Sequence, residues 1–366
     1  MKIICVAGAR PNFMKIAPLM SAFNAEPSIQ PMLVHTGQHY DEKMSDLFFR
    51  QLEIPEPDIN LGCGGGSHAQ QTAAVMTAFE PVVLEHKPDA VLVVGDVNST
   101  IACGMVAVKL GVKLIHVEAG LRSNDRTMPE EINRVLTDSI SDMLFCTEKS
   151  GVENLLREGV AQDKIHLVGN VMIDTLIKNK AKAEASTILE DLGLSPQGYA
   201  VVTLHRPANV DDPEALAGLV DVLDTVQSDM PAIFPIHPRT RKHLAAAGLD
   251  ARVNAMPNLR LMEPIGYLEF LKLTANARIV LTDSGGIQEE TTILKVPCLT
   301  LRDNTERPIT CEVGTNRLVG TNSKDIIAAY REAMSGSTAL EGATPPLWDG
   351  HAAERIAQIL VSGAIG

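Results

Sequence analysis

Residues 90–122 read AVLVVGDVNSTIACGMVAVKLGVKLIHVEAGLR. An apolar run, Ala90–Val94, ends in Gly95-Asp96-Val97-Asn98-Ser99-Thr100. A stretch with helical spacing follows over Ser99–Leu110, and a second apolar run occupies Lys113–Val117. Both runs are nearly continuous in hydrophobicity rather than alternating, the mark of strands covered on both faces. Strand, helix, strand in this order is a βαβ unit, whose strands lie parallel.

The same grammar repeats outward in both directions. Strand runs are expected at Ile3–Ala7, Met32–His35, Met143–Cys146 and Ile165–Val168 before residue 170. Beyond it they fall at Tyr199–Leu204, Ala232–Ile236, Leu259–Met262, Arg278–Leu281, Pro297–Leu301 and Arg317–Val319. Helical spacing over Pro129–Ser141 and Pro213–Val226 fits between them. The class is α/β, doubly wound, with two similar sheets. The break lies near Asn170–Pro196, where a charged helix-like stretch, Lys178–Asp191, ends in Gly193-Leu194-Ser195-Pro196-Gln197-Gly198. We expect one domain over residues 1–172 and a second over 173–350, facing each other across a cleft. A length of 366 residues agrees with two domains.

The chain carries 32 Lys+Arg against 45 Asp+Glu, a formal net charge of −13. That balance argues against a nucleic-acid binder, which needs a basic field. No apolar run reaches the roughly 18–20 residues of a membrane span. The six cysteines form no C-x-x-C pair and show no zinc-ligand spacing, so we read them as reduced thiols of a cytoplasmic protein.

Ligands of open parallel sheets bind beyond the carboxyl ends of the strands, so chemistry is sought there. The first strand runs into Gly8-Ala9-Arg10-Pro11-Asn12-Phe13-Met14-Lys15. Arg10 stands where a dinucleotide fold needs glycine, so no nicotinamide is expected, and the missing metal-ligand spacing argues against a metal cofactor. Arg10 and Lys15 around a helix start read instead as an anion site. Asp96 and Glu118 emerge at the ends of their strands; Asp96 also reads as a helix cap for Ser99 and Thr100. Thr127 with Glu130 fits a capping box, and Glu130 is a third candidate carboxylate. His205 and His237 occupy equivalent strand ends in the second half and can donate protons to a phosphate or alkoxide.

The most specific segment is Leu281-Thr282-Asp283-Ser284-Gly285-Gly286-Ile287-Gln288-Glu289-Glu290. A strand ends, glycines allow close backbone approach, and a helix begins whose free N–H groups suit a diphosphate. Glu289 and Glu290 lie in the first turn or just past it, and one of them can accept the two ribose hydroxyls of a nucleotide. Arg302 and Arg307 add guanidinium groups near the same edge, so a nucleoside diphosphate is the expected ligand. A glycine-rich patch, Gly62–Ser67, loosely fits G-x-G-x-x-A and reads better as a loop before a helix near His68.

Together these motifs resemble the non-hydrolysing UDP-N-acetylglucosamine 2-epimerases. The matches are G-x-R-P-x-x-x-K at Gly8–Lys15, G-Q-H at Gly37–His39, G-D at Gly95–Asp96 and V-E-A-G-L-R at Val117–Arg122. They continue with P-E-E-x-N-R at Pro129–Arg134, H-R at His205–Arg206, T-D-S-G-G-I-Q-E-E at Thr282–Glu290 and R-D-x-T-E-R-P at Arg302–Pro308. The resemblance covers nearly the whole chain. It implies the two-domain fold of GT-B glycosyltransferases, a C-terminal helix within residues 351–366 returning to the first domain, and a homodimer acting on a UDP-sugar.

It further implies catalytic roles for Asp96, Glu118, Glu130 and His205. Substrate-binding roles fall to Arg10, Lys15, His237, Ser284, Gly285, Gly286, Glu290 and Arg307. Gln38 and Arg206 match positions of an activating nucleotide-sugar site. Two departures stand out: Asn12-Phe13-Met14 where many members have Glu-Ala-Ile, and Pro207-Ala208-Asn209 where many have Arg-Glu-Asn. They leave open a related substrate such as UDP-2,3-diacetamido-glucuronic acid. A glycosyltransferase of the same fold and a hydrolysing epimerase are the alternative activities.

Overall fold

The computed structural model describes residues 1–37, 51–336 and 342–363, without the side chains of Arg10 and Pro11. The first sheet is built from β1 (Lys2–Ala7), β2 (Gln30–His35), β3 (Ile59–Asn60), β4 (Ala90–Val94), β5 (Lys113–Ala119), β6 (Met143–Cys146) and β7 (Ile165–Leu167). Their order is β3-β2-β1-β4-β5-β6-β7, and every pairing is parallel. The second sheet contains β8 (Ala200–Thr203), β9 (Ala232–Pro235), β10 (Leu259–Met262), β11 (Ile279–Thr282), β12 (Cys298–Thr300) and β13 (Asn316–Leu318). Its order is β10-β9-β8-β11-β12-β13, again all parallel. Each sheet reverses its strand order once, between β1 and β4 and between β8 and β11. That is the switch point at which open α/β sheets take ligands.

Contacts divide the chain into two units, Met1–Lys178 with Pro346–Gly366, and Asn179–Pro345. The residue 178/179 division falls inside the helix Val171–Glu184. In place of one charged connecting helix over Lys178–Asp191 there are two, Val171–Glu184 and the short Ile188–Asp191. The helix Ala352–Val361 belongs to the first unit, where it packs on the helix Arg10–Asn24. Its first N–H groups, from Ala352 and Ala353, donate to the Asp174 carboxylate at 3.1 and 2.7 Å. Trp348, 1 % exposed, donates its indole N–H to the Thr147 carbonyl just ahead of it.

Strand alternation explains why the strands are apolar throughout. Val202 and Leu204 join Leu219, Leu223 and Phe234 on one side of the second sheet, while Tyr199 and Val201 join Leu273 and Val280 on the other. With helices on both faces, each Val or Leu contributes roughly 1.5–3 kcal/mol by leaving water. In the first unit Ile4, Val6, Val91 and Val93 meet Val75, Phe79 and Val106 from neighbouring helices. All six cysteines are free, and burial pushes the Cys5 and Cys298 thiols up to about 12. Among the described residues no helix is long and apolar enough to cross a membrane.

One strand departs from the regular pattern. β5 continues two residues past its apolar run, and its register against β6 shifts between Val117 and Ala119. The residue at the shift is Glu118, with φ of 73°.

Candidate active site

In the first unit, three loops at the carboxyl edge of the sheet, after β1, β4 and β5, converge. After β1, the Asn12 carbonyl accepts the N–H of Ala9 at 2.8 Å, and its amide donates to the Val94 carbonyl at 3.1 Å. This ties the first loop to the end of β4. One turn further, Lys15 is 7 % exposed and ion-paired with Glu118. Gly95 makes room for it: its φ is +66°, and a Cβ there would lie 3.0 Å from the Lys15 ammonium.

A buried glutamate in the left-handed region costs of order 1–3 kcal/mol and persists only where surrounding contacts enforce it. Glu118 is 4 % exposed. Strain of this kind concentrates at functional positions.

Asp96 does not cap a helix. The helix Asn98–Lys109 has Val97 at its N-cap, without a side-chain bond, and the Asp96 carboxylate binds Arg134 instead. Arg134 also holds Glu131, which accepts from the Ser123 N–H, the Ser123 hydroxyl and the Asn124 N–H at 2.9 Å each. The Thr127–Glu130 capping box does not form. The helix Pro129–Ile140 is capped by Met128 without a side-chain bond, and the Thr127 hydroxyl turns to Asp125. Glu130 is exposed in the first turn, and Arg134 pairs with the next residue, Glu131.

Behind these residues lies a cluster in which only Arg122 belongs to a sequence motif. His116, fully buried, reaches Asp138 at 2.7 Å and donates to the Gly95 carbonyl at 2.9 Å. Asp138 also accepts from Arg122 at 2.7 Å, and Arg122 grips Glu158 through bonds of 2.8 and 2.6 Å. Burial alone would raise the Asp138 carboxyl, but His116 and Arg122 outweigh it and hold the group low.

In the second unit the centre is Asp283, fully buried at the end of β11. It accepts the His205 N–H at 3.0 Å, the Arg206 N–H at 2.9 Å and the Asn209 amide at 3.1 Å, and His205 Nδ1 lies 2.9 Å away. Against the desolvation that would raise it, these partners leave the carboxyl lowered, His205 first among them. The His205 ring is 45 % exposed and 6.3 Å from the His237 ring. His237 caps the helix Pro238–Ala246, accepting the Arg239 N–H at 3.2 Å.

The helix Gly285–Leu294 begins at Ser284 with no side-chain cap bond, which leaves its N–H groups presented at the strand end. Arg307 is 7 % exposed, pairs with Glu289 and lies against Gly285, where a Cβ would meet its Nη1 at 3.0 Å. Glu289 and Glu290 stand past the first turn, which holds no acidic residue. Burial first, then the charge of Glu289, pushes the Glu290 carboxyl up to about 8, against a smaller lowering by Tyr267. Arg302 does not project toward an anion; it is 5 % exposed and forks onto Glu306 at 2.8 and 2.9 Å. Arg206 bonds the Asp283 carbonyl at 2.9 Å. Gln38 lies outside the described residues, as does the side chain of Arg10, the first residue of its helix.

Within the first unit, two carboxylates on adjacent strand ends with a lysine beside one of them suit acid–base chemistry. Within the second, an aspartate–histidine pair next to an open helix N-terminus suits an anion. A family model described as UDP-N-acetylglucosamine 2-epimerase matches residues 21–361. The UDP-N-acetylglucosamine 2-epimerase of Methanocaldococcus jannaschii is 43% identical, over 99% of this chain and 100% of its own. The UDP-2,3-diacetamido-2,3-dideoxy-D-glucuronate 2-epimerase of Pseudomonas aeruginosa is 41% identical, over 98% and 99%. The crystal structure of the Methanocaldococcus jannaschii enzyme in complex with UDP-GlcNAc and UDP matches with a TM-score of 0.92 at 44% identity, covering 99% of this chain and 100% of that one. The fold expected from the sequence, two doubly wound α/β domains of GT-B type, is the fold of these relatives. The chain belongs to the UDP-N-acetylglucosamine 2-epimerase family, a family of isomerases.

Proposed function

We propose that the protein inverts C2 of a UDP-N-acetylhexosamine, interconverting UDP-GlcNAc and UDP-ManNAc without hydrolysis. The C2 proton of such a sugar is not next to a carbonyl, so its direct removal is very unfavourable. Breaking the C1–O bond to UDP first gives C1 oxocarbenium character and acidifies C2–H. Anti elimination then yields UDP and a 2-acetamidoglucal. UDP adds back to C1 while a proton arrives on the opposite face of C2. The route needs a diphosphate clamp, a base on one face and an acid on the other.

The observation that carries this reading is Glu118, held in left-handed backbone against Lys15 one strand away from Asp96. Asp96 and Glu118 serve the two faces of C2, and Glu130, exposed in the first turn of its helix, is the third carboxylate assigned to the proton transfers. His205, oriented by Asp283, serves the departing diphosphate. Ser284, Gly285 and Gly286 receive that diphosphate at the helix N-terminus, with Arg10, Lys15, His237 and Arg307 as its further partners, and Glu290 takes the ribose hydroxyls. The Pseudomonas aeruginosa relative supports a second reading, in which the sugar is a 2,3-diacetamido-glucuronate.

Incubation with UDP-GlcNAc in D2O, followed by NMR, tests the proposal. UDP-ManNAc should form with deuterium at C2 of both epimers. Asp96→Asn and Glu118→Gln should slow this by roughly 10²–10⁴, the usual contribution of a positioned acid or base. Epimerisation without C2 deuterium refutes the elimination route. Inertness toward UDP-GlcNAc with turnover of the diacetamido sugar selects the second reading.

A further inference from the structure

The helix Pro129–Ile140 turns its charged face inward. Glu131, Arg134, Thr137 and Asp138 are buried, while Ile132 and Leu136 are each 47% exposed. Spacings of three and four place Glu131, Arg134 and Asp138 on one side of the helix. A helix docked through charges must satisfy each of them, because an unpaired buried charge is costly. Glu131 is satisfied by Ser123, Asn124 and Arg134, while Arg134 and Asp138 find further partners around Asp96 and Glu118.

His116 lies two residues before Glu118 and Gly120 two residues after it, and Asp138 holds both. One oxygen of Asp138 meets the His116 ring at 2.7 Å, and the other accepts the Gly120 N–H at 3.1 Å. A single carboxylate thus fastens both shoulders of the left-handed residue. The far nitrogen of His116 donates at 2.9 Å to the carbonyl of Gly95, which immediately precedes Asp96. Arg134, one turn before Asp138, takes the Asp96 carboxylate itself, and the neighbouring Asn133 amide donates to the Asp96 carbonyl at 2.9 Å. One face of one helix therefore sets the backbone on both sides of Glu118 and both the backbone and the side chain of Asp96.

We infer that His116, Arg134 and Asp138 are positioning residues for the epimerisation, fixing the separation and aim of Asp96 and Glu118 relative to one another. The inference rests on the proposed elimination–addition, in which one carboxylate takes the C2 proton and the other returns one. The two transfers demand two aims held at once. Loosening the tie between the strand ends spoils the second transfer while leaving nucleotide binding alone. A misplacement of about 1 Å at a reacting group can cost on the order of 10²-fold in rate.

The test uses full-length His116→Gln, Asp138→Asn and Arg134→Lys. Glutamine can keep the donor to the Gly95 carbonyl but loses the imidazole. Asparagine keeps the shape of Asp138 but loses one acceptor. Lysine keeps the charge but cannot fork onto Asp96 and Glu131. Steady-state kinetics, UDP calorimetry and NMR detection of released glycal are run on whichever variants melt cooperatively. We expect kcat to fall about 10–100-fold, as when a supporting residue of a reactive group is removed. KM and UDP affinity should stay within about twofold, and free UDP plus 2-acetamidoglucal should rise per turnover. His116→Gln with Asp138→Asn should be little worse than the worse single variant, because both break one chain of contacts. Folded variants with wild-type kcat and wild-type glycal release would overturn the inference. So would a kcat that falls in step with the fraction able to bind UDP, since that marks a purely structural role. Wild-type protein that incorporates no C2 deuterium sinks the elimination reading itself, a separate result from unaffected variants of an exchanging enzyme.

Discussion

A glutamate is ordinarily ionised at neutral pH, but burial and Glu289 push Glu290 up to about 8, so the unliganded protein carries it mostly protonated at neutrality. If Glu290 accepts the two ribose hydroxyls, the nucleotide selects the ionised form, because both hydroxyls are then donors. Binding must therefore release a proton. By linkage, a ligand that favours the deprotonated form binds more tightly as pH rises, and the gain levels off above the unliganded value. With that value near 8, affinity should improve about tenfold from pH ~7 to pH ~9, or ~1.4 kcal/mol. The last phosphate ionisation lies near 6, below this window, so it adds little to the slope. Calorimetry in buffers of different ionisation enthalpy measures the released proton directly, at about 0.9 per site near pH 7 and falling toward zero by pH ~9.5. Glu290→Gln should remove both the slope and the proton while weakening binding at high pH. A flat affinity with no buffer dependence in the wild type would refute the ribose assignment.

Three further outcomes follow from the geometry. Ser284→Ala should weaken UDP binding by about 1.5–3 kcal/mol, the worth of a hydrogen bond to a charged group, with an unchanged melting temperature; equal affinity by calorimetry removes Ser284 from the diphosphate site. Gly95→Ala forces a side chain at φ of +66° into the space of the Lys15 ammonium, so stability should drop by about 1–2 kcal/mol and epimerisation with it; denaturant titration beside a rate assay checks both. Asp283 is lowered below its ordinary value of 3.8, so its stabilising contribution is full above that pH and is lost as pH falls through the folded value. Asp283→Asn should lose about 1–3 kcal/mol at neutral pH and show a shallower acid limb, read from melts between pH ~2 and ~6.

β4 and β5 were legible as strands because unbroken apolar runs have no other stable use between two helix layers. β3 was not, since Ile59–Asn60 is a two-residue edge strand and carries no periodicity. The positions of Asp96, Glu118, His205 and Asp283 followed from counting strand ends. Their partners did not follow. Glu131, Arg134 and Asp138 share a helix with Ile132 and Leu136, and spacing alone divides such a helix into two faces without saying which is buried. Convention assigns the charged face to water, and here it lies inward. Tyr267 was missed because it reaches Glu290 from the helix Tyr267–Ala275, which belongs to no motif.

The left-handed backbone at Glu118 also bears on how the sequence drifts. A glycine tolerates that conformation freely, so selection for stability alone would erase the glutamate. Lys15 stands in the way: 7 % exposed and paired with Glu118, it would become a buried, unbalanced charge once the partner left. Loss of the pair is therefore a two-step path with an unstable middle. Glu118→Gly should melt below the wild type, and Glu118→Gly with Lys15→Met should recover on the order of 1–3 kcal/mol or more while remaining inactive. The ion pair thus guards Glu118 against gradual replacement, and if Glu118 carries the proposed chemistry, descendants that have abandoned it should be found to have changed both positions together.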